Sequence, residues 1–209
     1  MKPTKLIFLP GAAGNASFWQ PASNLIKFEA KRVFIEWPGI AGVTPDPAIE
    51  TVDDLVMKLS KNINEPSVLI AQSMGGMVAV KTAMQVLSTH PKLITHLVLC
   101  VTSAGINVSD IKPTDWREGY IKTNPTFAKY FVEFDEDLTE QIQSLDIPVL
   151  LIWGDKDPIS PVTIGERLNA LIKGSKLEII LGGEHNLANV FASEVAIKIE
   201  TFLNKSTNS

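Results

Sequence analysis

The feature that most constrains the fold is an alternation. Short apolar runs, too brief for helices, take turns along the chain with longer segments of helical character. The runs fall at Lys5–Leu9, Lys31–Glu36, Val68–Ala71, His96–Thr102, Pro148–Trp153 and Lys176–Leu181. Between and after them lie predicted helices from about Phe18 to Phe28, Glu50 to Ile63 and Met74 to about Leu87, another marked by Leu168, Leu171 and Ile172, and a closing one from Val190 to Leu203. In the second of these, Val52, Leu55, Val56 and Leu59 share one face. Alternation of this kind predicts an α/β chain: a doubly wound, mostly parallel sheet of about six strands with helices on both faces. The first run is apolar at successive positions, as a strand buried under helices must be. One stretch, Ser103 to about Leu138, holds no strand and gathers aromatics instead. It reads as a short cap, an insertion at about 104–137 in a single domain covering 1–209.

Composition removes several functions. A net charge of −4 argues against nucleic acid, which requires a basic face. The one cysteine, Cys100, sits in the run Leu97-Val98-Leu99-Cys100-Val101 and reads as a buried, inert thiol. No apolar run reaches membrane-spanning length, so no membrane partner is expected. The N-terminal Leu6-Ile7-Phe8-Leu9 follows two lysines in the manner of a signal peptide, but it is short and broken by Pro10-Gly11. It therefore reads as a strand, with a cytoplasmic protein expected. The three scattered histidines offer no metal-ligand spacing, and the P-loop and dinucleotide fingerprints are absent, so no cofactor is expected.

The chemistry is concentrated at Ala71-Gln72-Ser73-Met74-Gly75. Here a buried strand turns directly into a helix, which forces Ser73 into a sparsely populated backbone conformation. The small residues Ala71 and Gly75, two positions either side, allow strand and helix to approach. A hydroxyl is thus raised above the sheet edge at a helix N-terminus, where the Met74 N–H can receive an oxyanion. A serine that merely caps a helix is the plainer reading of this motif taken alone.

A serine hydroxyl needs a base. His90 precedes Pro91 at a helix end, and His96 begins a strand on the opposite edge of the sheet. Only His185, in Gly182-Gly183-Glu184-His185, follows the C-terminal end of a strand, the edge where parallel sheets bind ligands and where Ser73 stands. A carboxylate should orient that base. Two compete past the fifth strand, Asp155 and Asp157; Pro158 biases Asp157 towards an extended backbone. A second oxyanion donor should come from the loop of small residues after the first strand, Gly11-Ala12-Ala13-Gly14.

Together these segments resemble the α/β-hydrolase family, of the small carboxylesterase type. Leu9-Pro10-Gly11-Ala12 is similar to its oxyanion loop, with Pro10 in place of the usual histidine. Trp37-Pro38-Gly39-Ile40-Ala41-Gly42 resembles its Pro-Gly turn, and Ala71-Gln72-Ser73-Met74-Gly75-Gly76 its strand-to-helix elbow, with Ala71 for the first glycine. Pro148 to Pro158 resembles its acid segment, and Gly183-Glu184-His185 its histidine segment. The resemblance implies Ser73 as nucleophile, His185 as base, Asp157 as the acid, and the N–H groups of Ala12 and Met74 as the oxyanion hole. It also implies that the family's leading antiparallel hairpin is missing, and that Pro10 deprives the oxyanion loop of a bracing side chain.

The expected activity is cofactor-free hydrolysis of a carboxylic ester with a small or medium apolar acyl group, by a monomer or homodimer. A C–C bond hydrolase, lyase or perhydrolase could use the same triad, and a non-catalytic ligand receptor is a third reading. In the cap, Asp115 and Glu118 resemble a capping box opening a helix with Trp116 and Tyr120, and Asn124-Pro125 resembles the start of a second. That second helix would align Phe127, Tyr130, Phe131 and Phe134 in one stripe. Trp116, Tyr120, Phe127 and Phe131 are the expected substrate-binding residues.

Overall fold

The computed structural model describes residues 1–12, 14–123 and 129–206. Six strands, β1 (Lys5–Leu9), β2 (Lys31–Phe34), β3 (Ser67–Gln72), β4 (Ile94–Cys100), β5 (Val149–Gly154) and β6 (Lys176–Ile180), form one sheet in the order β2-β1-β3-β4-β5-β6. Every neighbouring pair is parallel, with Ile7 opposite Leu69, Leu69 opposite Leu97, and Leu99 opposite Leu151. Among the described residues the sheet is therefore wholly parallel, where the alternation predicted a mostly parallel one of about six strands. β1, β3 and β5 are buried along their whole length, and β4 but for Thr95. The outer strands β2 and β6 carry Lys31, Arg32, Lys176 and Glu178, charges that keep an open edge from pairing with another chain.

The helices are α1 (Gln20–Leu25), α2 (Val52–Ser60), α3 (Met74–Thr89), α4 (Arg117–Thr123), α5 (Thr139–Gln143), α6 (Val162–Leu171), α7 (Leu187–Val190) and α8 (Ala192–Ser206). α1 packs with α8, and α2 with α3. The chain steps outward from β1 to β2, then returns past β1 to β3. Right-handed crossovers in these two directions put α1 and α2 on opposite faces. The reversal also opens a crevice between the C-terminal ends of β1 and β3, the switch point where α/β sheets bind ligands.

Local chemistry moved several element ends. Thr51 accepts the Asp54 N–H while the Asp54 carboxylate accepts the Thr51 N–H, a reciprocal cap that starts α2 at Val52 rather than Glu50. Asn15 caps a 3₁₀ turn over Ala16–Trp19, so the first helical segment begins before Phe18 and ends at Leu25. β4 stops at Cys100 because Val101 has φ of +41°, which an extended strand cannot continue. The closing helix breaks at Phe191 into α7 and α8.

The cap departs most from expectation. α4 carries Tyr120, with Asp115 Oδ1 accepting the Arg117 N–H just ahead of it. The second cap helix is not continuous to Phe134. A 3₁₀ turn covers Lys129–Phe131, and Phe134 lies beyond it. Tyr130 and Phe131 are drawn into the core instead: the Tyr130 hydroxyl donates to Pro38 O at 2.9 Å, and Phe131 packs edge-on against Trp37 with ring centroids 5.4 Å apart. The expected start at Asn124-Pro125, and Phe127, lie outside the described residues.

Candidate active site

Ser73 is the last residue before α3 and has φ 52° and ψ −126°. This region of backbone space costs a non-glycine residue on the order of 1–3 kcal/mol, which the surrounding structure must impose. It does so by packing. A Cβ on Gly75 would lie 2.9 Å from Leu9 O and closer still to Pro10 O, so only glycine lets α3 begin against the end of β1. A Cβ on Gly11 would stand 3.0 Å from Ser73 Cβ, which sets the loop after β1 directly against the serine.

His185 lies between β6 and α7 and shares the edge of Ser73. Its Nε2 is 2.9 Å from Ser73 Oγ, and its Nδ1 is 2.8 Å from Asp157 Oδ2. The Asp157 side chain is fully buried. Its other oxygen, Oδ1, accepts the N–H groups of Ile159 at 2.8 Å and Ser160 at 3.0 Å. With Oδ1 committed to two donors, the carboxylate presents Oδ2 to the ring, which makes Nδ1 the protonated nitrogen and leaves Nε2 to accept from Ser73. The competing carboxylate is engaged elsewhere: Asp155 Oδ1 accepts the Gly182 N–H at 2.6 Å, and among the described residues no hydrogen bond or ion pair joins Asp155 to His185. It ties the acid turn to the histidine turn, as does the Lys156 N–H donating to Gly183 O at 2.9 Å.

Other candidates fall outside this cluster. His90 is exposed at the end of α3. His96 is buried edge-on against Phe202, and burial lowers its pKa to about 4. Cys100 is buried and its thiol is pushed well above its ordinary range by desolvation.

Gln72 is a site neighbour that the sequence reading passed over. It is buried, and its side-chain Nε2 donates to His185 O at 3.0 Å, holding the histidine loop from the residue next to Ser73. The signal available was its place beside the serine, since a buried glutamine must find partners.

Two cavities meet at Ser73 and His185. One, of about 440 Å³, extends beneath the cap past Met77, Ile106, Val108, Phe134 and Ile164. The other, of about 590 Å³, runs over the loop after β1, past Gly11, Ala12, Phe18, Tyr120 and Asn186. Both volumes suit a small organic molecule. Asp115, Trp116 and Ile159 line both. Of the four expected substrate-binding aromatics, Trp116 and Tyr120 face the cavities. Phe131 does not: it is fully buried against Trp37 and Tyr130, a correction that follows from its pull into the core. Phe134, not among the four, lines the cavity under the cap.

The amides expected to bind an oxyanion flank the serine. Met74 opens α3, so its N–H has no partner within the helix. Ala12 is buried next to Gly11 in the loop that abuts Ser73, and it lines the second cavity. Among the described residues no group of three or more His, Cys, Asp or Glu is placed to hold a metal ion. Among them, too, no helix is long and apolar enough to cross a membrane.

Comparison with known proteins agrees with this fold. Residues 6–138 match a family model described as "Alpha/beta hydrolase family", and residues 120–188 match a second, "alpha/beta hydrolase fold". A non-heme haloperoxidase of Rhodococcus erythropolis is 28% identical over 90 residues, 42% of this chain and only 33% of that protein's length. The thioesterase TesA of Mycobacterium leprae is 23% identical over 224 residues, 95% of this chain and 85% of that protein. Among solved structures, an esterase from Exiguobacterium antarcticum superposes with a TM-score of 0.75 at 17% identity, covering 97% of this chain and 92% of the other.

Proposed function

The chain belongs to the alpha/beta hydrolase family, and on that premise we propose that it cleaves a carboxylic ester of a small or medium apolar acyl group through an acyl-enzyme on Ser73. One observation carries the reading: the unbroken relay from Asp157 through His185 to Ser73, with contacts of 2.8 Å and 2.9 Å, at the junction of two cavities. The Ser73 hydroxyl attacks the substrate carbonyl as His185 Nε2 takes its proton. Asp157 stabilises the imidazolium that forms. The N–H groups of Ala12 and Met74 hold the oxyanion of the tetrahedral intermediate. The proton on Nε2 then passes to the leaving alcohol, and a water activated by the same nitrogen releases the acid. Two cavities suit a substrate with a group on each side of its carbonyl.

A thioester is the second reading, favoured by the alignment of nearly the whole chain with a protein named a thioesterase. Its acyl-enzyme would be the same and only the leaving group would differ. Haloperoxidase, C–C hydrolase and lyase chemistry has no feature of this site in its favour over ester cleavage. The test is a panel of p-nitrophenyl esters and matching N-acetylcysteamine thioesters of graded acyl length, run beside fluorophosphonate labelling. Turnover of esters with labelling confined to Ser73 supports the reading. Faster kcat/KM on every thioester would transfer it to thioesterase, and absence of both labelling and turnover would favour a non-catalytic binder.

A further inference from the structure

The loop after β1 was expected to lack a brace, because Pro10 stands where a supporting histidine would be. The structure supplies braces from elsewhere. Four successive carbonyls each accept a different donor: Leu9 O from Trp19 Nε1 at 3.0 Å, Pro10 O from Trp37 Nε1 at 3.1 Å, Gly11 O from the Gly14 N–H at 3.1 Å, and Ala12 O from the Tyr120 hydroxyl at 2.7 Å. The two tryptophans are fully buried in the core and fix the entrance of the loop. The Gly14 bond orients the Gly11–Ala12 peptide, whose N–H must point opposite to its carbonyl in a trans plane. Only the last bond comes from the cap. Tyr120 is on α4, its ring lies edge-on to Trp116, and burial pushes the pKa of its hydroxyl up, so it stays a donor.

We propose that Tyr120 is a positioning residue for the oxyanion hole: its hydroxyl, by holding the Ala12 carbonyl, fixes the loop that presents the Ala12 N–H and so couples the seating of the cap helix to catalysis. Its ring walls the second cavity, but its hydroxyl is turned to the backbone rather than reserved for substrate. This assignment rests on the ester-hydrolysis reading for its catalytic consequence, and on geometry alone for its effect on the loop.

The two parts are separated by one variant and two measurements. Tyr120→Phe keeps the cavity wall and removes only the hydroxyl. Amide hydrogen exchange of Gly11, Ala12 and Gly14 should accelerate about tenfold, the effect of losing one ordinary hydrogen bond. On a p-nitrophenyl ester kcat should fall about tenfold, less than the loss of a donor that touches the oxyanion, with KM and the shape of the pH profile unchanged. A trifluoromethyl ketone, which forms a tetrahedral adduct on the serine, should weaken by the same factor as kcat. Unchanged exchange in the loop overturns the proposal whatever the activity. Faster exchange with kcat retained, or with the loss confined to KM, overturns the catalytic coupling and leaves Tyr120 a cavity wall. If the wild-type protein neither turns over esters nor labels at Ser73 while exchange accelerates as expected, the ester-hydrolysis reading fails and the brace stands.

Discussion

Replacing Asp157 by asparagine tests the relay with the smallest change in shape. Asp157 Oδ1 accepts two backbone N–H groups, from Ile159 and Ser160, at 2.8 Å and 3.0 Å. An amide can satisfy those donors only with its oxygen, so its NH₂ must take the place of Oδ2, 2.8 Å from His185 Nδ1. Nδ1 must then be the unprotonated nitrogen, and Nε2 carries the hydrogen. A protonated Nε2 cannot accept from Ser73, whose hydroxyl is 2.9 Å away. The wrong tautomer, with the imidazolium stripped of its counter-charge, should lower kcat by roughly 10³- to 10⁴-fold. Asp155→Asn is the internal control, because an amide oxygen can still accept the Gly182 N–H and the Lys156 contact at 3.6 Å is a surface pair of small worth. It should change kcat less than about threefold. The assay is p-nitrophenyl butyrate hydrolysis under saturating substrate, with both variants checked by circular dichroism. Comparable losses in the two folded variants, or the greater loss in Asp155→Asn, would refute the tautomer argument.

Ser73→Ala should lose at least about 10³-fold in kcat, leaving only what oxyanion hole and binding supply; retention of a tenth of the activity would dismiss Ser73 as nucleophile. Trp116→Ala should move the optimal acyl chain length, since Trp116 lines both cavities, and an unmoved profile would remove it from the pocket. Phe131→Ala should instead lower stability by about 3–5 kcal/mol with the profile unmoved, because its ring is wholly buried against Trp37 and Tyr130; urea unfolding reads the first and the ester panel the second. Burial lowers the pKa of His96 to about 4 from an ordinary 6.5, so the unfolded chain takes up this proton first as pH falls. The stability it contributes is complete above pH 6.5 and is lost as pH drops towards 4, by about 3 kcal/mol at 1.36 kcal/mol per unit. His96→Leu should flatten that part of the urea-measured stability curve between pH 7 and 4, and an unchanged slope would show that His96 does not govern it.

What the sequence made legible follows from what physics writes locally. Parallel strands buried under helices must be apolar runs, and β1, β3 and β5 were readable for that reason. Ser73 was readable because a strand that turns directly into a helix is rare and needs small neighbours, and Gly75 indeed meets the carbonyls of Leu9 and Pro10. Asp157 and Asp155 differ by two positions, and only the fold shows which one turns its oxygen to His185. The cap was the least legible. Its aromatics have the spacing of a helix stripe, but the pull of Trp37 and the Pro38 carbonyl on Phe131 and Tyr130 acts over more than ninety positions of sequence, and local spacing cannot report it. The Tyr120 donor to the loop after β1 was hidden for the same cause: Tyr120 and Ala12 are 108 positions apart.

The division of work between sheet and cap bears on why one family includes so many chemistries. Ser73, His185 and Asp157 are set by backbone at the ends of β3, β6 and β5, with Gln72 and the Gly183 carbonyl tying the loops together. Nothing in that frame depends on which bond is cleaved. What distinguishes an alcohol from a thiol, or water from another acceptor, must lie in the cavity that holds the leaving or attacking group. Here much of that space is walled from the cap: Ile106, Val108, Trp116 and Phe134 line one cavity, Trp116 and Tyr120 the other, and the two meet at the serine. Apolar walls separate substrates by only about 1–3 kcal/mol per methylene. Broad tolerance for acyl length is therefore the expected property of this site. Polar groups line both cavities, with Asn107, Arg117 and Asp135 in the first and Glu184 and Asn186, flanking His185, in the second, and any discrimination between leaving groups is expected from these.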